Sequence, residues 1–150
     1  MKNVLIVVVA SLAFISCKKD KAAKYDPIIP KEPRIEIDRV SPHVINEFDD
    51  IVFTIFYEDG DGDLGDLDPD IKSLHITDNR FPITHEFHVQ PLAPDDINAV
   101  IRGNLVVTLK NVILQNQNAT SEKVTFSVQL KDREGNWSNT VDSPEITINK

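Results

Sequence analysis

The chain has a single cysteine, Cys17, in 150 residues. No disulfide can close within it, so its fold must hold by apolar burial alone. Aromatic residues are sparse, with one Trp and two Tyr beside seven Phe. The longest largely apolar run, Val4 to Ile15, spans twelve residues, short of the ~20 that a membrane-crossing helix needs. Sustained helical periodicity is missing, and so are G-x-S-x-G, a phosphate-cradling glycine loop and C-x-x-C. Basic residues are scarce beyond the first 24. From residue 25 onward eleven Lys and Arg face twenty-three Asp and Glu, a net charge of −12, against −8 for the whole chain. A surface this acidic repels nucleic-acid backbones and disfavours lying flat on anionic lipid.

What is present begins at the N-terminus. Lys2, the apolar run to Ile15 and the small residue Ser16 are the parts of an export signal. Phe14-Ile15-Ser16-Cys17 resembles the lipobox of bacterial lipoproteins. That resemblance implies cleavage before Cys17, acylation of its thiol and a permanent membrane anchor, since three acyl chains hold far better than one. Removal of the signal without lipidation is the alternative, and it would leave a lone free thiol in an oxidising compartment. Lys18 to Pro33 (KKDKAAKYDPIIPKEP) places prolines at 27, 30 and 33. This composition favours an extended tether, roughly 50 Å long at about 3.1 Å per residue. The expected organisation is a signal peptide over 1–16, a lipidated Cys17 with tether over 17–33, and one domain over 34–150.

In that domain the apolar period is two. Ile35 and Ile37 alternate with polar neighbours, and Ile51 to Tyr57 is apolar on both faces, as in a central strand. Leu74 and Ile76, then Phe81 to Val89, Leu105 to Leu109, Val124 to Leu130, and Ile146 with Ile148 complete the pattern. Asp95 to Ile101 fits either a helical turn or a strand. Turn residues punctuate these runs, among them Asp59-Gly60, Asp78-Asn79 and Gly135-Asn136. About seven strands in this length predict an all-β fold, an immunoglobulin-like or fibronectin type III-like antiparallel β-sandwich. A jelly roll or small barrel is the structural alternative.

Phe56-Tyr57-Glu58-Asp59-Gly60-Asp61-Gly62-Asp63-Leu64-Gly65 is similar to a segment recurrent in lipoproteins of Bacteroidota. Asp132-Arg133-Glu134-Gly135-Asn136-Trp137-Ser138-Asn139 resembles the D-x-x-G-N-x-S hairpin of bacterial Ig-like domains. With the lipobox, the resemblance implies an outer-membrane, lipid-anchored protein of the cell envelope, on its periplasmic or its outer face.

Glu58 to Asp70 holds seven acids and no base. Asp59, Asp61 and Asp63 match the D-x-D-x-D opening of a calcium loop, which wraps oxygen ligands round one hard cation. The match then departs, with Leu64 where the turn glycine stands and Asp70 at the twelfth position. If Ile51–Tyr57 is strand B and Val124–Leu130 strand F, the acidic loop and the Asp132–Asn136 turn share one end of the sandwich. The candidate Ca²⁺ ligands are therefore Asp59, Asp61 and Asp63, with Asp66, Asp68, Asp132 or Asn136 completing the shell. Neutralisation of the loop by Arg133, or a plain solvated turn, are the competing readings.

His85-Glu86-Phe87-His88 is one residue short of H-E-x-x-H, and on a strand its two histidines face opposite ways. Carboxylates are plentiful but no catalytic constellation accompanies them, so the sequence reads as non-catalytic. Trp137, on the turn beside the acidic loop, is the candidate partner-binding residue. The expected function is a monomeric lipid-anchored module that displays its loops to a protein or glycan partner. A structural spacer or assembly subunit of an outer-membrane complex is the alternative.

Overall fold

The computed structural model describes residues 29–94 and 98–150. Cys17, the signal segment and the tether as far as residue 28 lie outside them, as do residues 95–97. Ten strands follow in order: β1 (Arg34–Ser41), β2 (Val44–Asn46), β3 (Ile51–Asp59), β4 (Leu74–Asp78), β5 (Ile83–Phe87), β6 (Ile101–Leu109), β7 (Ser121–Val124), β8 (Phe126–Leu130), β9 (Val141–Asp142) and β10 (Ile146–Asn149). Among the described residues there is no α-helix. The fold is all-β and sandwich-like, consistent with an Ig-like architecture at the level of its layers.

The strands form three sheets in the orders β1-β3-β6, β2-β10-β7 and β5-β4-β8-β9. All pairings are antiparallel except that of β2 with β10. β3 is the central strand of its sheet, and its residues alternate between fully and partly buried. Period two sends Ile51, Phe53, Ile55 and Tyr57 into the core. Phe53 meets Phe126 of the facing sheet edge-to-face, with ring centroids 5.7 Å apart. The same core takes Leu74, Ile76, Val128, Leu130, Ile146 and Ile148.

Ten strands replace the expected seven or so, for identifiable reasons. The run Val124–Leu130 alternates without interruption in sequence, yet it breaks at Thr125. Its first part pairs with β10 and its second with β4 and β9. β2 and β9 are two short edge pairings that carry no long apolar pattern. A bulge between Ile37 and Arg39 shifts β1 by one residue, so that Val40 rather than Arg39 turns inward. Phe81 lies before β5 and is exposed, whereas Val89, past its end, is buried. Asn139 ties the start of β1 to the segment after the hairpin: its side chain accepts from Ile35 N and donates to Ile35 O, both at 2.9 Å.

Candidate metal centre

The alternation that buries the apolar face of β3 continues to its last residue, so Asp59 points inward and is fully buried. One of its oxygens, Oδ2, closes the following turn by accepting the N–H groups of Gly62 at 2.8 Å and Asp63 at 3.1 Å. Gly62 takes φ +81°, a left-handed conformation that glycine adopts without strain. The turn brings Asp61, which is 8% exposed, and the partly buried Asp63 back beside Asp59. Leu64 then plunges into the core and bridges to Asp132.

One carboxylate oxygen from each of Asp59, Asp61 and Asp63 lies within 4.8 Å of the others. Among the described residues, Asp59 Oδ1, Asp61 Oδ1 and Asp63 Oδ1 are buried with no hydrogen-bond partner. Buried carboxylate oxygens left unpaired are strongly unfavourable. Burial pushes the Asp59 carboxyl up to about 6, against the pull of its two backbone hydrogen bonds. The Asp63 carboxyl is raised as well, first by burial and then by Asp132 and Asp61. Two oxygens bound to one Ca²⁺ at about 2.4 Å stand at most about 5 Å apart. The spacing of the triad fits that limit, and an all-oxygen donor set suits a hard cation.

The other expected ligands are placed elsewhere. Burial of Leu64 carries the chain away, so Asp66 and Asp68 sit outside the triad. There each caps its own turn, with Asp68 N on Asp66 Oδ1 at 2.8 Å and Asp70 N on Asp68 Oδ1 at 2.9 Å. Asp132 and Asn136 do lie at the loop end, but they satisfy each other: Asp132 Oδ1 accepts Asn136 N at 2.7 Å and its Oδ2 accepts Asn136 Nδ2 at 2.9 Å. These two bonds staple the hairpin.

That hairpin nevertheless abuts the triad. Asp63 Oδ2 accepts Glu134 N at 3.2 Å, and Asp63 O accepts Arg133 N at 3.3 Å. The charge of Arg133 also acts on Asp63, drawing its carboxyl down. Trp137 is 39% exposed; its ring packs on His75 at 4.5 Å, with Lys131 Nζ 5.2 Å from the ring centroid. Among the remaining histidines, His88 Nδ1 lies 3.0 Å from Ile71 O.

Sequence reasoning missed two features. Lys31, which the sequence assigned to the tether, forms an ion pair with Asp61 Oδ2 at 3.1 Å. The Asp61 contact raises the Lys31 pKa. Arg80 joins the buried Asp78 at 2.6 Å and Glu122 at 2.7 Å, far from the triad in sequence, and no local motif announces the cluster.

Comparison with family models, curated proteins and solved structures finds no match to this chain. A functional reading therefore rests on the geometry.

Proposed function

We propose that this chain is a non-catalytic, lipid-anchored module of the outer membrane, whose β-sandwich presents its loop end to a protein or glycan partner once a calcium ion has set that end. Asp59, Asp61 and Asp63 hold the ion. The observation that carries this reading is the approach of the three side chains, one carboxylate oxygen of each lying within 4.8 Å of the others, where each aspartate also has a buried oxygen with no hydrogen-bond partner among the described residues. A cation would satisfy all three at once, and water would fill the remaining positions of its flexible shell. Mg²⁺ demands octahedral geometry and sheds its waters reluctantly, which disfavours it here. The half-exposed Trp137, steadied by His75 and Lys131 next to the hairpin, supports a contact surface at the same end.

The test is thermal unfolding of the full chain in calcium and in chelator. For Kd of roughly 10⁻⁴ to 10⁻³ M, typical of extracellular modules, 1 mM calcium adds about 0.4 to 1.4 kcal/mol. That raises the melting temperature by a few degrees. Asp61→Asn with Asp63→Asn should erase the increment while leaving the chelator-treated protein as stable or more so, because two unfavourable charges are gone. Identical melting of the wild type in calcium and chelator refutes the ion. The anchor is tested separately: labelled palmitate should enter the wild type and not Cys17→Ala. Trp137→Ala should weaken retention of envelope partners on the immobilised chain; undiminished retention removes Trp137 from the contact.

A further inference from the structure

We propose that Lys31 is a built-in competitor of the cation at the aspartate triad, so that calcium binding loosens the base of the N-terminal segment from the domain. The inference rests on the calcium reading above. It starts from where the segment lies. Gly60 stands between two of the triad residues, and a Cβ on it would fall 2.2 Å from Pro30 O and 2.8 Å from Ile29 O. The backbone of Ile29 and Pro30 is thus laid directly on the acidic loop, and Lys31 follows with its ammonium on Asp61 Oδ2 at 3.1 Å.

The two partners of this ion pair are unequal. The Asp61 side chain is 8% exposed and the Lys31 side chain 63% exposed. Lys31 can exchange its carboxylate for water cheaply, whereas Asp61 cannot. Asp61 Oδ1, on the other branch of the same carboxylate, is the buried oxygen without a partner. A cation held there would stand one carboxylate away from the ammonium, repelling it. The triad also draws Lys31 less strongly once its formal charge has fallen from −3 to −1. Glu134 and Asp63, which also attract Lys31, and Arg133 are present with and without the ion, so they leave the sign of this difference unchanged. Coupling of this kind is reciprocal: whatever factor Lys31 subtracts from calcium affinity, calcium subtracts from the seating of Lys31. A doubly charged ion and an ammonium about 5 Å apart at a screened surface are coupled by roughly threefold to tenfold.

Calorimetric titration of the full chain with calcium chloride tests this, using wild type, Lys31→Met and Lys31→Arg. Lys31→Met should bind calcium about threefold to tenfold more tightly at low salt, with the gap closing toward 0.5 M NaCl as screening grows. Lys31→Arg, which keeps the charge, should follow the wild type. Hydrogen exchange of the peptide carrying Lys31 and Glu32 should quicken when calcium is added to the wild type. Calcium binding that is unchanged or weaker in Lys31→Met, or a gap indifferent to salt, overturns the competition and leaves the metal site standing. Absence of calcium binding in all three chains removes the site, and the competition with it.

Discussion

Asp63 Oδ2 accepts the backbone N–H of Glu134 at 3.2 Å, while Asp63 Oδ1 is buried and without a partner among the described residues. One side chain thus holds the hairpin with one oxygen and keeps the other buried and open to a cation. A cation at the triad fixes the Asp63 carboxylate and, through it, the hairpin that leads into Trp137, the single tryptophan of the chain. Calcium should therefore shift the intrinsic fluorescence of the protein and slow exchange of the Glu134 amide. Asp63→Asn should abolish both responses. Calcium binding measured by heat, with neither signal moving, would show that loop and hairpin are uncoupled.

The hairpin has its own staple, independent of any ion. Asp132 is buried and accepts two hydrogen bonds from Asn136. Asp132→Ala leaves Asn136 N without its side-chain acceptor, at about 1 to 3 kcal/mol, or several degrees of melting temperature. The increment gained from calcium should survive, because Asp132 does not belong to the triad. Loss of that increment in Asp132→Ala would place Asp132 in the shell after all.

Acid sensitivity should arise elsewhere. The Gln115 N–H foremost, with the Asn116 N–H and Arg80, holds the Glu122 carboxyl below its ordinary value of 4.5. A depressed carboxylate stabilises the fold at pH values above its unfolded pKa, and this contribution is lost as pH falls through the folded value. Glu122→Gln should therefore flatten the acid side of the stability profile below about pH 4.5 and change its shape little at neutral pH. Arg80→Met strands Asp78, which is 5% exposed, beside Glu122. It should cost about 3 kcal/mol at neutral pH. A Glu122→Gln acid limb as steep as that of the wild type would show that other carboxylates govern it.

Period-two patterning announced β1, β3 to β6, β8 and β10, because a half-buried strand writes its burial into sequence. The break at Thr125 left no such mark: a strand that changes sheets keeps its alternation and alters only its partners, which lie far away in sequence. The Asp38 bulge was equally silent. At the site, the i, i+2, i+4 spacing made Asp59, Asp61 and Asp63 legible. Asp66 and Asp68 are not grouped with those three, and the apolar Leu64 at the sixth position was a signal that the chain turns into the core. Lys31 could not be read from the chain, since its role arises from the segment before β1 folding back over Gly60.

That fold-back makes Gly60→Ala informative. Gly60 does not adopt positive φ; it is required by the approach of Pro30 O, a backbone atom that cannot swing aside as a side chain would. Either the segment lifts or the end of β3 bends. Pro30 and Lys31 are exposed, while β3 is paired along its length with β1 and β6. Lifting is therefore the softer response, and it should stay below the ~1 to 3 kcal/mol of an overpacked core. The melting temperature should fall little, trypsin should cut faster after Lys31, and calcium should bind more tightly, as in Lys31→Met, because the ion pair to Asp61 is lost. A large drop in stability accompanied by loss of calcium binding would mean that β3 bends instead. The segment would then be part of the rigid frame of the site.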